Sequence, residues 1–463
     1  MNIVVFSGGT ATNALTPCFK KLSQRNGYDL TYILPISDNG GSTSEILRIL
    51  GGPAIGDIRS RIVRVMKDDD LVKLFGYRLS DDPKKAKEEW NMIVEGTHEL
   101  WNDLPIELRK LCRAFLIHLQ AELLKTSTTA MKAQNGFRFE KASVGNLFLT
   151  GTRLFLGSLD AAIELMMRLG RCSSKVHVIP CINTNHTHHI SALLENGDVI
   201  TGQSQISHPS PAVTPTINRA KVRRLHPLTQ VRPNAPIYSS DVASRLSEVS
   251  LVDVSETEEE EEEEYANPIY ILPELKNSQL HFTKDTAENK LPAPIKRILY
   301  INPYGEEIKP IGNSRAVIKL REANMIVYSI GSLMTSLLPT LILGNIAETI
   351  AERVDAHKIL IVNNKYDRET YGLEGIDYLK MVIDSMSRTI ASYRQSKDLS
   401  GISTYHIPWN HYITDVVYLS RGEIQMDWDA ITEEHGIICH RIEGDMLTND
   451  NLEKVLLKIT KSI

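Results

Sequence analysis

The sequence predicts an α/β fold: a doubly wound, mostly parallel sheet with helices on both faces, carrying one helical and one charged insertion. Three observations lead there. Two short runs of apolar and β-branched residues, Asn2–Ser7 and Asp29–Ile36, each end in a glycine loop and pass into helical patterns, Thr12–Gln24 and a segment from Ser42. Parallel strands need such crossover helices to bring the chain back to the same end of the sheet. The same rhythm returns late in the chain, in "IKRILYINPYG", "MIVYSIGSLMTSLLPTL" and "HKILIVNN", the last followed by the helical "IDYLKMVIDSMSRTIASYR". Finally, the two segments that interrupt it differ in composition from everything around them.

Taken in order, residues 1–83 form the first part of the α/β core. Residues 84–132 show no strand pattern, while "LWNDLPIELRKLCRAFLIHLQAELLK" has helical spacing, so they read as a helical insertion that caps the sheet. Residues 133–206 continue the core. Here "SVGNLFLTGTRLFLGSLDAAIELMMRL" reads as one long buried helix, and "KVHVIP" and "HHISALLENGDVITGQSQI" read as strands. Asn196-Gly197 marks a two-residue hairpin. Residues 207–289 hold many prolines, a basic patch (Arg219, Lys221, Arg223, Arg224) and seven consecutive glutamates, Glu258–Glu264. Like charges repel and bury nothing, so this low-complexity insertion is expected to be partly disordered. A solvated spacer is one reading of it and a protein-partner site the other. Residues 290–463 complete the core.

Bulk properties exclude several classes. Of 463 residues, 42% are apolar, enough for a large core, and the net charge of -5 gives no basis for a nucleic-acid binder. Five scattered cysteines without a C-x-x-C pair argue for a reducing compartment and against a disulfide scaffold or zinc module. "MNIVVFSGG" reads as a strand rather than a secretory signal. The most lipid-like stretch, "IGSLMTSLLPTLILGNIA", is broken by Ser, Thr, Pro and Gly and falls short of the roughly 20 residues a span needs. A soluble, cytoplasmic protein is expected, with no membrane partner.

Chemistry is expected in three strand-to-helix loops of one design. In "FSGGTATN", Gly8 and Gly9 allow close backbone approach, Thr10 and Thr12 supply hydroxyls, and Asn13 follows on the helix. A helix N-terminus there suits a phosphate, although neither G-x-G-x-x-G nor a Walker lysine is present. In "SDNGGSTS", Asp38, Asn39, Gly40 and Gly41 precede Ser42, which with Glu45 forms a capping-box pattern. The third loop, "SIGSLMTS", carries Gly331, Ser332, Thr335 and Ser336. A tight turn explains any one of them; three together, gathered at the carboxyl ends of parallel strands, suggest a shared nucleotide or phosphosugar site. Between the first two and the insertion lies "GGPAIGDIRSRI", where Gly56-Asp57 reads as a turn and cap. Asp38 and Asp57 could hold Mg2+ beside substrate phosphates, and would then be the catalytic pair, with Arg59 as a phosphate contact. His186, His188 and His189 lack a cysteine partner at zinc spacing and run into a strand, so the metal reading of them is set aside. Nothing supports covalent catalysis.

The ordered stretches "VVFSGGTATNAL", "PISDNGGSTSEILR", "GGPAIGDIRSRI", "SVGNLFLTG", "ISALLENGDVITGQSQI", "YINP", "YSIGSLMTSLLPTLI" and "ILIVNN" resemble the 2-phospho-L-lactate transferase-like (CofD-like) family, closest to its gluconeogenesis-factor branch. The resemblance implies a Rossmann-like α/β domain. It implies either binding of a UDP-sugar with a role in carbon metabolism, or Mg2+-dependent transfer of a phospholactyl-type group from a nucleotide diphosphate donor. Gly8, Gly9 and Thr10 match the first phosphate loop of the family, and Asp38, Gly40, Gly41 and Ser42 its Asp-Gly-Gly-Ser element. Gly56, Asp57 and Arg59 match its Gly-Asp-Ile-Arg element, Gly145 and Asn146 its Gly-Asn pair, and Gly331, Ser332, Thr335 and Ser336 its last loop. Ala11 stands where the family has a further glycine, and Asp38-Asn39 where it often has two acids. Three roles stay open at this point: a nucleotide-sugar-binding metabolic regulator, a transferase, and a scaffold acting through the acidic insertion. A homodimer is compatible with each.

Overall fold

A computed structural model describes residues 2–37, 40–129, 136–207, 290–370, 372–397 and 407–461. The expected disorder of the charged insertion, and the placement of Asp38 and Asn39, lie outside them.

Strand β1 (Asn2–Phe6) is the hub of the main sheet, because four consecutive buried residues, Ile3 to Phe6, suit a strand covered on both faces. It pairs in parallel with β2 (Asp29–Leu34) on one side and β8 (Met325–Tyr328) on the other. With β3 (Val176–Pro180), β9 (His357–Ile361), β10 (Asp415–Leu419) and β11 (Ile438–Ile442), the order is β3-β2-β1-β8-β9-β10-β11. All six pairings are parallel. The chain grows outward from β1 in one direction and, after more than 300 residues, outward again in the other. The strand order therefore reverses between β1 and β8, and their carboxyl ends flank the crevice where open α/β sheets take ligands.

The antiparallel pairs form a separate sheet, β5-β4-β6-β7, from β4 (His189–Leu194), β5 (Val199–Thr201), β6 (Ile295–Ile301) and β7 (Glu307–Ile308). Residues on either side of the charged insertion thus meet as neighbours, Ser191 opposite Leu299.

Local expectations change in four places. The predicted helix from Thr12 is two pieces, Thr10–Asn13 and Thr16–Asn26, because Pro17 lacks the N–H that would reach the Asn13 carbonyl. The long helix after Ser143 is also two, Val144–Leu156 and Leu159–Leu169. Gly157 stops the first in a left-handed conformation (φ 67°), and Ser158 caps the second by accepting from the Ala161 amide. The hairpin at Asn196-Gly197 turns through Leu194–Gly197: the Gly197 amide donates to the Leu194 carbonyl, and only Gly197 takes positive φ. A two-residue turn of the primed type would need Asn196 there as well. Beyond β5, Gln203–Ser207 is helical rather than extended.

The interval after Lys84 is helical: Ile106–Thr129 packs on Val144–Leu156 through Phe115 and Phe148, and Pro83–Glu95 packs on Ile106–Thr129, where the Trp90 indole donates to Gln120. Glu45, 1% exposed, ties the segment that follows that interval to the helix Gly41–Leu50 by accepting from Arg138 as well as from its own neighbour Arg48. Among the described residues, no single helix is long and apolar enough to cross a membrane. The bent apolar pair Leu333–Leu341 and Gly344–Glu352 is instead packed inside, with Leu333, Met334, Leu338 and Ile346 fully buried.

At the opposite edge of the sheet, Asp415 is buried and accepts from the rings of His357 (2.8 Å) and His440 (2.7 Å) and from the Thr414 hydroxyl (2.7 Å). Burial alone would push its carboxyl up, but these hydrogen bonds outweigh it and hold it at about 2. A carboxyl depressed in the fold adds stability above its unfolded value, near pH 4, and loses it as pH falls through 2. Asp415→Ala is expected to lower the unfolding free energy at neutral pH by about 2–4 kcal/mol, read from the denaturant midpoint, with the difference shrinking towards pH 2. A deficit that does not change with pH would mean that packing, rather than the charge, matters at Asp415.

Candidate functional site

The three loops do converge. Gly8 and Gly9 follow β1, Gly40 to Ser42 follow β2, and Ser329 to Ser336 follow β8, so all three lie at the carboxyl end of neighbouring strands. Direct contacts join the first and the third. The Thr12 hydroxyl donates to the Ile330 carbonyl (2.7 Å) and lies 3.1 Å from the Ser329 hydroxyl. Ser336 stands so close to Gly8 that a Cβ there would lie 2.6 Å from its Oγ.

Asp57 completes the first loop. Its helix, Gly56–Val65, begins one residue earlier than the predicted cap, with Ile55 at the N-cap, so Asp57 lies inside the first turn. Its carboxylate then lies against the glycine pair: a Cβ on Gly9 would lie 2.0 Å from Asp57 Oδ1. One turn on, Arg61 faces the same loop and is fully buried. It donates to the Thr16 hydroxyl (2.5 Å), reaches the Ser7 hydroxyl and Gly8 carbonyl at 3.4 Å, and lies 4.4 Å over the Tyr32 ring. Asn13 binds the helix between them, donating to the Ser60 hydroxyl (2.8 Å).

Arg59 points elsewhere, towards Val144–Leu156. Gly145 makes room for it, since a Cβ there would lie 2.9 Å from the Arg59 side chain and 2.3 Å from the Phe75 carbonyl. Its Nε donates to Asn146 Oδ1 (3.1 Å), and Asn146 Nδ2 donates to the Ser42 hydroxyl (3.1 Å). Arg59 is 9% exposed, and its two terminal nitrogens make no hydrogen bond to any described residue. Burial pushes the guanidinium down to about 10, with Arg78 adding to the effect and Asp57 opposing it.

Around these side chains stand the N-termini of three helices, Gly41–Leu50, Gly56–Val65 and Val144–Leu156, none with a side-chain cap hydrogen bond. The predicted Ser42–Glu45 capping box does not form. Gly40 takes the extended N-cap conformation two residues early, Ser42 turns to Asn146, and Glu45 is taken by its two arginines. Helix N-termini with open amides concentrate partial positive charge, and buried guanidinium groups add a full one. Such a place favours an anion with several oxygens.

The third loop differs from expectation in one respect. Residues Leu333–Leu337 form a π-helical turn, in which the Leu337 amide reaches back to Ser332, ahead of Pro339. Gly331 is clasped by Asn363, which accepts from its amide (3.1 Å) and donates to its carbonyl (2.7 Å). The Thr335 amide and hydroxyl donate to Glu369, so the donors expected for a ligand are already engaged, while Ser332 and Ser336 remain half-buried at the crevice. Of Thr10 the backbone alone is described; it begins the short helix. Sequence reasoning missed Arg61, Asn363 and Glu369. Arg61 carried a signal, because it stands four residues after Asp57 and so on the same helix face.

His189 is a core residue of β4, held near 4 by burial, and His188 binds the His186 carbonyl within its own loop. Among the described residues, no group of three or more His, Cys, Asp or Glu side chains is placed to hold a metal.

The family model described as 2-phospho-L-lactate transferase CofD matches residues 3–443 of this chain. The chain belongs to the CofD family. It is 60% identical over 461 residues to an uncharacterized protein of Saccharomyces cerevisiae, covering 99% of each chain. A Thermotoga maritima protein named "Putative gluconeogenesis factor" is 25% identical over 182 residues, which are 39% of this chain and 56% of that one. An Aquifex aeolicus protein of the same name is 37% identical over 95 residues, or 20% of this chain and 29% of that one. A Bacillus halodurans protein solved by crystallography shares the fold with a TM-score of 0.56 at 17% identity, across 98% of this chain and 99% of that one.

Proposed function

We propose that this CofD-family chain binds a nucleotide diphosphate or nucleotide sugar, with the diphosphate in the crevice between Gly8-Gly9, Arg59 and Ser336, and that it acts as a metabolic regulator. One observation carries the reading: a guanidinium nine-tenths buried, its terminal nitrogens without a hydrogen bond to any described residue, stands among three helix N-termini that have no side-chain cap. The donor set also fits Mg2+. Asp57 offers a hard carboxylate beside the phosphate seat, and Mg2+ characteristically takes one or two carboxylates together with substrate phosphates. When bound, the ion would neutralise phosphate charge; Asp57 would hold it, and Arg59 would orient the phosphates. All five cysteines are unpaired, which supports a reducing, cytoplasmic setting.

The family description favours a second reading, Mg2+-dependent transfer from a diphosphate-linked donor. Metal-dependent release of a nucleoside monophosphate would separate it from binding alone.

A thermal-shift screen of GDP, UDP and UDP-sugars, with and without Mg2+, tests the first reading. A true ligand at a hundred times its Kd should stabilise by about 2.7 kcal/mol. Asp57→Ala should remove the Mg2+ dependence, and Arg59→Met should weaken binding about tenfold or more. A flat response across the panel would end the nucleotide reading.

A further inference from the structure

Beneath the third loop runs the chain that leaves β9, and its tip carries a buried acid. Glu369, 2% exposed, accepts from the Thr335 amide (3.0 Å) and the Thr335 hydroxyl (2.7 Å), and from the Ser207 hydroxyl. The Ser207 and Thr335 hydroxyls themselves lie 3.0 Å apart. Beside it, Arg368 donates to the Ile206 carbonyl (3.0 Å). Ser207 ends the helix Gln203–Ser207 and is the last described residue before 208–289. One carboxylate therefore joins two things far apart in sequence: the loop that places Ser336 against Gly8, and the point where the charged insertion departs.

We propose that Glu369 is the positioning residue of the third loop, and that through Ser207 it couples the phosphate crevice to the root of the 208–289 insertion. The role in ligand binding rests on the nucleotide reading above; the positioning of the loop does not. A carboxylate in the core is tolerated where donors surround it, and here the donors come from both elements it joins. If Glu369 were only filling space, an apolar side chain would serve as well, and the Thr335 amide would have no acceptor.

The surroundings make this contact sensitive to protons. Burial pushes the Glu369 carboxyl up to about 7, and Asp367 adds to the rise, while the hydroxyls of Ser207, Thr335 and Ser332 pull it back. The charged and titratable groups facing it are Asp367 and Arg368 from its own segment and Tyr378 from the helix Asp377–Ser396. The third loop and the helix Gln203–Ser207 offer neutral hydroxyls. A phosphate arriving at Ser336 brings negative charge near the carboxylate and so favours its protonated form. Binding takes up a proton, and affinity falls as pH rises through 7.

Hydrogen exchange of the full-length, ligand-free chain tests the positioning. Glu369→Ala should speed exchange about tenfold or more in residues 332–337 and 203–207 together, leaving β1 and β2 unchanged. Glu369→Gln, which keeps an acceptor, should restore most of the protection. Ser207→Ala should loosen residues 203–207 and leave a folded protein even if Glu369→Ala does not fold. Wild-type exchange in residues 332–337 and 203–207 of Glu369→Ala, or a loss of protection that Glu369→Gln does not restore, overturns the positioning role, and wild-type exchange of residues 203–207 in Ser207→Ala overturns the link through Ser207. Titration with UDP-glucose, whose phosphates stay ionised throughout, should show affinity dropping several-fold from pH 6.5 to 8.5 in wild type and no slope in Glu369→Gln. A slope retained in the Gln variant overturns the coupling. No binding by wild type at any pH, with the exchange pattern as expected, would sink the nucleotide reading and leave the positioning role supported.

Discussion

Gly9→Ala should remove the ligand response while leaving most of the fold intact, and Asp57→Ala should repair the stability it loses. At the N-cap of the short helix Gly9 has φ -79°, so alanine meets no backbone strain there. The conflict is with one side chain. The new methyl would lie 2.0 Å from Asp57 Oδ1 and 3.0 Å from its Cγ, and a short carboxylate can only escape by rotating out of the loop. Displacing it should lower the unfolding free energy by about 1–2 kcal/mol and reduce nucleotide affinity at least as much as Asp57→Ala does. In a double-mutant cycle, the Gly9→Ala/Asp57→Ala protein should be more stable than the sum of the singles by about 1–2 kcal/mol. Additive losses would place the methyl against something other than Asp57, and unchanged nucleotide affinity in Gly9→Ala would remove the first loop from the site.

That pair also shows what could be read before any coordinates. Gly8 and Gly9 are legible because a glycine pair between a β-branched run and a helix has few other uses, and the parallel sheet follows from the same rhythm. Which acid meets them is not legible. Asp57 reaches Gly9 across 48 positions, through a helix whose direction is fixed by the sheet order. The same holds for Arg59, where the expected phosphate contact stands against Gly145 and Asn146, 87 positions later, rather than against the first loop. Glu369 and Asn363 carried no local pattern at all, since their partners, Thr335 and Gly331, are fixed only when β9 lies next to β8. Periodicity reveals which face of an element is buried. It cannot say which loop a buried polar side chain will find, and here the braces of the site are made of such side chains. Asp38 and Asn39, central to the sequence argument, lie outside the described residues, so the metal reading rests on Asp57.

Arg61→Met is expected to separate the charge of this site from its packing. Arg61 has 0% exposure and no salt bridge among the described residues; its partners are the hydroxyls of Thr16 and Ser7, the Gly8 carbonyl and the face of Tyr32. Burial lowers its proton affinity, with the Tyr32 hydroxyl and Asp57 opposing that effect. Arg61→Ala deletes a long stem from a filled space and should cost about 3–5 kcal/mol of unfolding free energy. Methionine keeps most of the volume and removes a poorly compensated buried cation, so Arg61→Met should cost no more than about 1–2 kcal/mol. Nucleotide binding should respond in another order. Both variants lose the positive charge behind Gly8, and both should bind a diphosphate at least about tenfold more weakly, a loss of roughly 1.4 kcal/mol or more. Equal affinity in Arg61→Met and wild type would make Arg61 a packing residue, and the electrostatics of the crevice would then rest on Arg59 and the three helix ends. A methionine variant that folds almost normally yet fails to bind would show that the first loop is held in place by a charge whose use is to attract the ligand.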